Sequence, residues 1–212
     1  MDAVADFPTY TQALEALRRV YRRPVNLRQN NVTTSESAVR GAKLMYQLRS
    51  DACTIEEALS AFSMLGPKQR EQTAALFKRA PAQVLARLDT LVGGSGRPVG
   101  APGPALSHLR ALRDPHAHMG LVPAHTFLAI AAPQLFGARS DLIAAIAARL
   151  AAMVTGFDPI GLGVPEVYFS RHKREYYDLI SAHSSQWPEF YFQACLAGAA
   201  EAEGIARMVA EG

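Results

Sequence analysis

Apolar residues recur along most of the chain at the spacing of amphipathic helices. In the Ala-rich stretch 141–155, this spacing is shown by Leu142, Ile143, Ile146, Leu150 and Met153. The pattern predicts a helix buried on nearly all sides at the centre of the core. Other helices, bounded by Gly, Pro or Asp-Pro, are predicted over 67–79, 81–92, 104–113, 123–135, 165–182 and 188–210. Because no run of β-branched residues alternates with polar ones, we expect an all-α fold with at most a short β-hairpin.

Two kinds of local signal place helix starts. Thr33 with Glu36, and Thr54 with Glu57, have the spacing of the capping box, in which a hydroxyl and a carboxylate satisfy free amides at a helix N-terminus. Proline suits the first helical turn because its missing N–H costs nothing there. Pro67 and Pro81 are therefore expected in the first turns of two helices.

The densest Gly and Pro segment, residues 93–104, is the clearest break in the chain. It separates a predicted N-terminal helical region, residues 1–92, from a helical core at 105–212, and we expect a mobile loop or linker. Its glycines do not indicate a phosphate loop. Gly94-Ser95-Gly96 lacks the third glycine of G-x-G-x-x-G, follows a helix, and has no Lys-Ser/Thr pair.

Composition indicates a globular protein that folds without cross-links. The chain has 212 residues, 49% of them hydrophobic and 19% charged, which suits one domain or one core with an added helical subdomain. The net charge of +3 is small, and the basic clusters at 18–23 and 171–174 fit solvated helix faces better than a nucleic-acid stripe. We therefore predict no nucleic-acid partner.

The two cysteines indicate a reducing compartment. Cys53 and Cys195 are far apart and belong to no C-x-x-C or Cys/His metal spacing, which predicts ordinary buried thiols. The first eleven residues lack the apolar segment of a secretory signal, and no apolar run is long enough to cross a bilayer. The expected location is the cytoplasm, with no membrane partner.

The C-terminal part carries a family resemblance. Residues 156–180 contain Arg174 and the pair Tyr176-Tyr177 in a predicted helix, and Trp187 and Phe190 follow in the next. This succession resembles the end of the Fic domain, especially in divergent actinobacterial members that are also rich in Ala and Arg. The resemblance implies a Fic-like helical core packed on an N-terminal helical region.

The same resemblance implies that catalysis has been lost. Active Fic proteins carry H-P-F-x-(D/E)-G-N-G-R, whose histidine is the general base and whose acidic residue holds Mg²⁺. Aligned without gaps, the chain keeps Pro133 and Gly137 but has Ala132 for the base, Phe136 for the metal ligand and Ser140 for the first arginine. Alignment on Phe136 puts Gln134 at the base instead. Neither alignment supplies a histidine, so no catalytic residue, metal or cofactor is expected.

Three functions remain open. The first is a pseudoenzyme that acts as a binding or regulatory module, through another protein or as a homodimer. The second is a nucleotide or phosphate binder that keeps an anion site at Gly137, Arg139 and Ser140, before the helix that starts near Asp141. The third is an enzyme with altered chemistry and a new base, such as His125 or Glu166. Burial of Leu135 and Phe136 in the old cleft would favour the first, and an open basic pocket at Arg139 the second.

Two further groups of residues have ordinary interpretations. Asp114, His116, His118 and His125 form the one cluster in the sequence that resembles a metal site, but they establish no ligand geometry, and we interpret them as surface or structural residues. The last 45 residues are rich in aromatics, whose helical spacing favours core packing over a recognition surface. These aromatics are Tyr168, Phe169, Tyr176, Tyr177, Trp187, Phe190, Tyr191 and Phe192.

Overall fold

The computed structural model describes residues 7–211, so the first six residues of the predicted N-terminal region and Gly212 lie outside it. Within that range every regular element is helical and there is no strand, which confirms the all-α fold. No helix in this range is long and apolar enough to cross a membrane. The α-helices are α1 (Pro8–Tyr21), α2 (Pro24–Arg28), α3 (Asn30–Leu48), α4 (Ile55–Phe62), α5 (Arg70–Arg79), α6 (Pro81–Leu91), α7 (Gly103–His108), α8 (Leu121–Ala131), α9 (Ser140–Thr155), α10 (Glu166–Arg171), α11 (Lys173–Ser181) and α12 (Trp187–Glu211).

Helix α9 is central, as its sequence predicts. Thirteen of its residues, from Ser140 to Ala152, are buried, and it contacts α3, α4, α5, α6 and α8. Small alanines let these neighbours approach on every side. The helix ends at Gly156, whose φ of 81° is the left-handed conformation that glycine adopts without strain.

The first and last helices lie side by side in parallel. Thr9 contacts Glu189 near their starts, and Arg23, just after α1, donates to Glu203 further along α12. The buried stripe of α1 faces the same hydrophobic core that contains α8, α9 and α12. The N-terminal helices and the C-terminal helices therefore share one core.

One of the two expected capping boxes is present. Thr54 Oγ1 accepts from the Glu57 amide at 3.2 Å and a Glu57 carboxylate oxygen accepts from the Thr54 amide at 2.7 Å, which confirms the start of α4. The prediction at Thr33 and Glu36 is wrong, because α3 already begins at Asn30. Thr33 is buried inside the helix, where its hydroxyl donates to the Asn30 carbonyl.

Of the two predictions for proline, one is confirmed and one is wrong. Pro81 lies in the first turn of α6, as expected. Pro67 does not begin a helix, because α5 starts at Arg70 after a turn in which the Gln69 amide donates to the Gly66 carbonyl at 3.0 Å. The buried Arg70 side chain donates to Thr34 Oγ1 at 2.9 Å, so a tertiary contact fixes this helix start.

Several predicted boundaries need correction. The helix expected at 165–182 is two helices, α10 and α11, because His172 leaves helical geometry with φ −114° and ψ 41°. The helix expected at 123–135 spans Leu121–Ala131, and the one expected at 104–113 is α7 followed by a 3-10 turn. The Gly- and Pro-rich segment is irregular only up to Pro102, since α7 begins at Gly103.

The C-terminal aromatics pack in the core, which confirms that interpretation for six of the eight. The buried ones are Phe169, Tyr176, Trp187, Phe190, Tyr191 and Phe192. The Trp187 indole N–H is satisfied by the Ala124 carbonyl at 2.8 Å, which joins α12 to α8. Tyr168 and Tyr177 are only partly buried. Of the two free cysteines, Cys195 is buried as expected, whereas Cys53 is half-buried.

Candidate functional site

The segment aligned with the Fic motif serves here as the end of a helix. Gln134 has a φ of 48°, its amide donates to the Ala131 carbonyl at 3.0 Å, and the Leu135 amide donates to the Ile130 carbonyl at 3.1 Å. This pair of bonds is the Schellman motif, which ends a helix with one left-handed residue. The backbone of Gln134 is therefore explained by termination of α8.

The two large hydrophobic residues of the segment pack into the core. Leu135 and Phe136 are 1% and 2% exposed, so neither faces a cleft. Ala132 and Pro133 line an adjacent surface pocket, and Gly137 follows with a φ of 61°.

The three residues expected to hold an anion are Gly137, Arg139 and Ser140, which are near neighbours in the sequence. Two of them bond to other groups of the protein. Arg139 Nε donates to Asp89 Oδ1 at 2.7 Å, and Asp89 is fully buried. Ser140 Oγ accepts from the Phe136 amide at 2.8 Å. An anion at this helix start would compete with a buried carboxylate for Arg139.

Asp89 also anchors the Gly-rich loop. Its other oxygen, Oδ2, accepts from the Gly96 amide at 2.8 Å, and its backbone carbonyl accepts from Gly94 at 2.8 Å. A Cβ on Gly94 would lie 2.1 Å from the Asp89 carboxylate, so only glycine fits there. The loop is bonded again where the Val99 amide donates to the Leu135 carbonyl at 2.9 Å. The glycines of the loop therefore allow its backbone to approach the Asp89 carboxylate, which belongs to the protein and not to a ligand.

A polar pocket of about 490 Å³ lies between the motif segment and α11. Arg49 Nη1 donates to Asp141 Oδ2 at 2.7 Å at its wall, and Arg49 also bonds to Asp51. Burial raises the pKa of Asp141, and Arg49 opposes that shift. The Tyr177 hydroxyl donates to the Leu48 carbonyl at 3.1 Å. The polar groups named here are bonded within the protein, and the lining contains no histidine.

Asp114 and His118 of the candidate metal cluster bond to nearby backbone amides. The His116 amide donates to Asp114 Oδ1 at 2.8 Å, and His118 Nδ1 accepts from the Gly120 and Leu121 amides at 3.3 and 3.1 Å, at the start of α8. His125 lies 6.1 Å from His108 between ring centroids. Residues 7–211 contain no group of three or more His, Cys, Asp and Glu side chains placed to hold a metal.

The bonds of His118 predict a pH-dependent stability. Burial lowers the pKa of His118 from its ordinary 6.5, and a protonated Nδ1 could not accept from the two amides. Since the folded pKa is the lower one, this stabilisation is present above pH 6.5 and lost as the pH falls through the folded value. We expect the melting temperature to fall more between about pH 7.5 and pH 5 in the native chain than in His118→Asn, whose amide oxygen accepts without titrating. Equal falls would contradict the assignment.

A buried ion pair joins α9 and α10. Arg149 Nη1 and Glu166 Oε1 are 3.6 Å apart, and both side chains are nearly inaccessible to solvent. Arg149 also donates to the Ser37 hydroxyl and to the Gly161 carbonyl, which tie α3, α9 and the 156–165 turn together. Burial raises the pKa of Glu166, which Arg149 opposes. This carboxylate, one of the two proposed new bases, lies in the core.

An open apolar groove runs along the outer face of α3, and we call it the α3 groove. It consists of two contiguous cavities of about 540 and 340 Å³, which share Ser35, Val39, Pro67 and Lys68. Val32, Met208 and Val209 line one end, and Leu59 and Phe62 the other. Val32 is 52% exposed and Met208 47%. Large side chains exposed beside a concavity are typical of a binding surface.

Sequence reasoning did not find the α3 groove. Isolated exposed apolar residues are common, so Val32 and Met208 carried no signal by themselves. Val32 and Val39 are seven residues apart, which is two helical turns, on a stripe that otherwise shows Asn31, Ser35 and Glu36. That repeat was a faint signal. The approach of α12 and the 66–69 turn is a tertiary feature.

No family model, curated protein or solved structure matches this chain.

Proposed function

We propose that the chain is a non-catalytic protein-binding module, a degenerate relative of the Fic proteins, which receives a partner segment in the α3 groove. The observation that carries this proposal is the groove itself, which is open and apolar while Leu135 and Phe136 are packed into the core. A module that binds proteins needs an accessible apolar surface and no reactive group. The chain offers that surface.

The shape of the groove suits a helix. Its floor includes Val32 and Val39, which lie about 10 Å apart along α3 at 1.5 Å per residue. An amphipathic partner helix presents apolar anchors at i, i+3 or i+4, and i+7 over the same length. Two successive cavities can therefore accept anchors from two turns of one helix.

The other two functions have weaker support. An anion site at Gly137, Arg139 and Ser140 would have to displace Asp89 from Arg139. Altered catalysis would need a base in a cleft, but Glu166 is buried beside Arg149 and His125 lies at the surface beside His108. Neither residue lines the polar pocket by the motif segment.

The test is selection from an unbiased display library of random peptides about 16 residues long, the length of a common amphipathic segment. The native chain is expected to enrich peptides whose binding falls at least about tenfold in Val39→Arg, because the new side chain would fill both cavities with a charge. Val99→Arg is the matched control. It makes the same change at a side chain that is 71% exposed on the Gly-rich loop, and binding should be retained.

Enriched peptides that bind equally to the native chain and Val39→Arg would contradict the proposal. A selection that enriches no peptide would contradict it as well. Calorimetry with ATP, GTP and ADP at millimolar concentration provides the competing measurement. Heat of binding that is lost in Arg139→Gln would favour the anion-binding alternative.

A further inference from the structure

Of the charged residues that line the α3 groove, one forms an ion pair and the other does not. Glu36 and Lys68 are its two charged lining residues. Glu36 Oε1 accepts from Arg40 Nε at 2.9 Å, and Arg40 bonds also to Glu201. Lys68 is exposed and forms no ion pair with any residue of 7–211. Among the residues that line the groove, the one charge without an ion-pair partner in residues 7–211 is therefore positive.

Basic residues precede the groove-lining residue Asn31 along the chain. Four arginines on α1, α2 and the turn between them are exposed and form no ion pair within residues 7–211: Arg18, Arg19, Arg22 and Arg28. Arg28 precedes Asn31 of the groove by three residues, which places their Cα atoms within about 11 Å. Glu15 is the only acidic residue between Pro8 and Arg28. We call Lys68 and these four arginines the basic rim.

Exposed apolar side chains lie among these arginines. Tyr21 is 40% exposed and Leu27 58%. With Val32 and Met208, they are four of the five large apolar side chains that are exposed in residues 7–211. Contacts of α2 with α3 and α12 bring these four to one end of the molecule. Exposed apolar and basic side chains therefore both occur on the helices that meet there.

We propose that the partner segment is an acidic amphipathic helix of another protein, an inference that rests on the proposed function of the α3 groove. Its apolar face would occupy the two cavities, and its carboxylates would meet Lys68 and Arg28 at the basic rim. A second copy of this chain is a poor occupant. It would bring the same basic rim into the interface, where like charges repel.

The display selection described above tests the partner's charge through the composition of the peptides that depend on Val39. These are expected to carry an excess of Asp and Glu over Lys and Arg. For one selected peptide, the double variant Lys68→Glu/Arg28→Glu should weaken binding at least about tenfold and reduce its salt dependence. The matched control is Arg171→Glu/Arg174→Glu, the same charge change at exposed positions on α10 and α11, which should leave binding within about twofold.

The outcomes separate the two proposals. Val39-dependent peptides that are neutral or basic would overturn the acidic partner and leave the binding module intact, whereas the absence of Val39-dependent peptides would overturn both. Sedimentation of the native chain with phosphatidylserine vesicles, lost in Lys68→Glu/Arg28→Glu, would assign the basic rim to lipid and overturn the inference. A dimer in light scattering that Val39→Arg dissociates would make a second copy the occupant, with the same consequence.

Discussion

Glu166→Leu is expected to destabilise the protein by about 3–5 kcal/mol, the range for removing one partner of a buried ion pair. The variant leaves the Arg149 guanidinium without its counter-ion in the core. The bonds of Arg149 to Ser37 and Gly161 would remain but would not neutralise its charge. Urea unfolding followed by circular dichroism measures the change in the free energy of unfolding.

A double variant distinguishes the lost pair from lost packing. Arg149→Met/Glu166→Leu removes both charges and fills the site with apolar groups, so it should recover most of the loss. Both carboxylate oxygens of Glu166 lack a hydrogen bond within residues 7–211, so few favourable contacts are given up. A double variant no more stable than Glu166→Leu would show that the charges are not the cause.

Gly198→Ala is expected to cost about 1–3 kcal/mol, although alanine favours helix. A Cβ at this position of α12 would lie 2.7 Å from the Pro165 nitrogen and 2.7 Å from the Val164 carbonyl carbon. These are backbone atoms held by the bond from the Val164 amide to the Gly198 carbonyl, so they cannot move aside cheaply. Thermal and urea unfolding should both report the loss.

The same helix supplies the control. A Cβ on Gly204 of α12 would meet nothing within 4 Å, so Gly204→Ala should stabilise the chain by up to about 1 kcal/mol through helix propensity alone. Opposite signs at the two positions would show that the close approach of the 164–165 backbone to α12 sets the cost at Gly198. Stabilisation in both variants would contradict the close contact.

Both experiments concern the scaffold on which the α3 groove depends. Arg149 fixes α3 through Ser37, and Gly198 lets the 164–165 backbone approach α12. Helices α3 and α12 supply Val32 and Met208 to the lining of the groove. A rigid framework behind the groove lowers the conformational entropy that the groove itself would lose when a partner binds.

The sequence by itself determined those features whose cause is local. The Ala-rich, apolar pattern of 141–155 defines a helix buried on all sides, and the Thr54–Glu57 spacing defines the start of α4, since both bonds of a capping box lie within four residues. That neither Ala132 nor Gln134 is a histidine can likewise be read from the sequence. These positions need no knowledge of distant contacts.

The tertiary structure decided where charged groups and surfaces meet. Arg139 was expected beside an anion, but the fold places it against Asp89, fifty residues earlier, and Asp141 against Arg49, ninety-two residues earlier. The start of α5 was misplaced because the buried Arg70 bonds to Thr34 in another helix. The α3 groove arises from the approach of α3, α12 and the 66–69 turn. Spacing along the chain specifies local hydrogen bonds, whereas these contacts depend on how the helices pack.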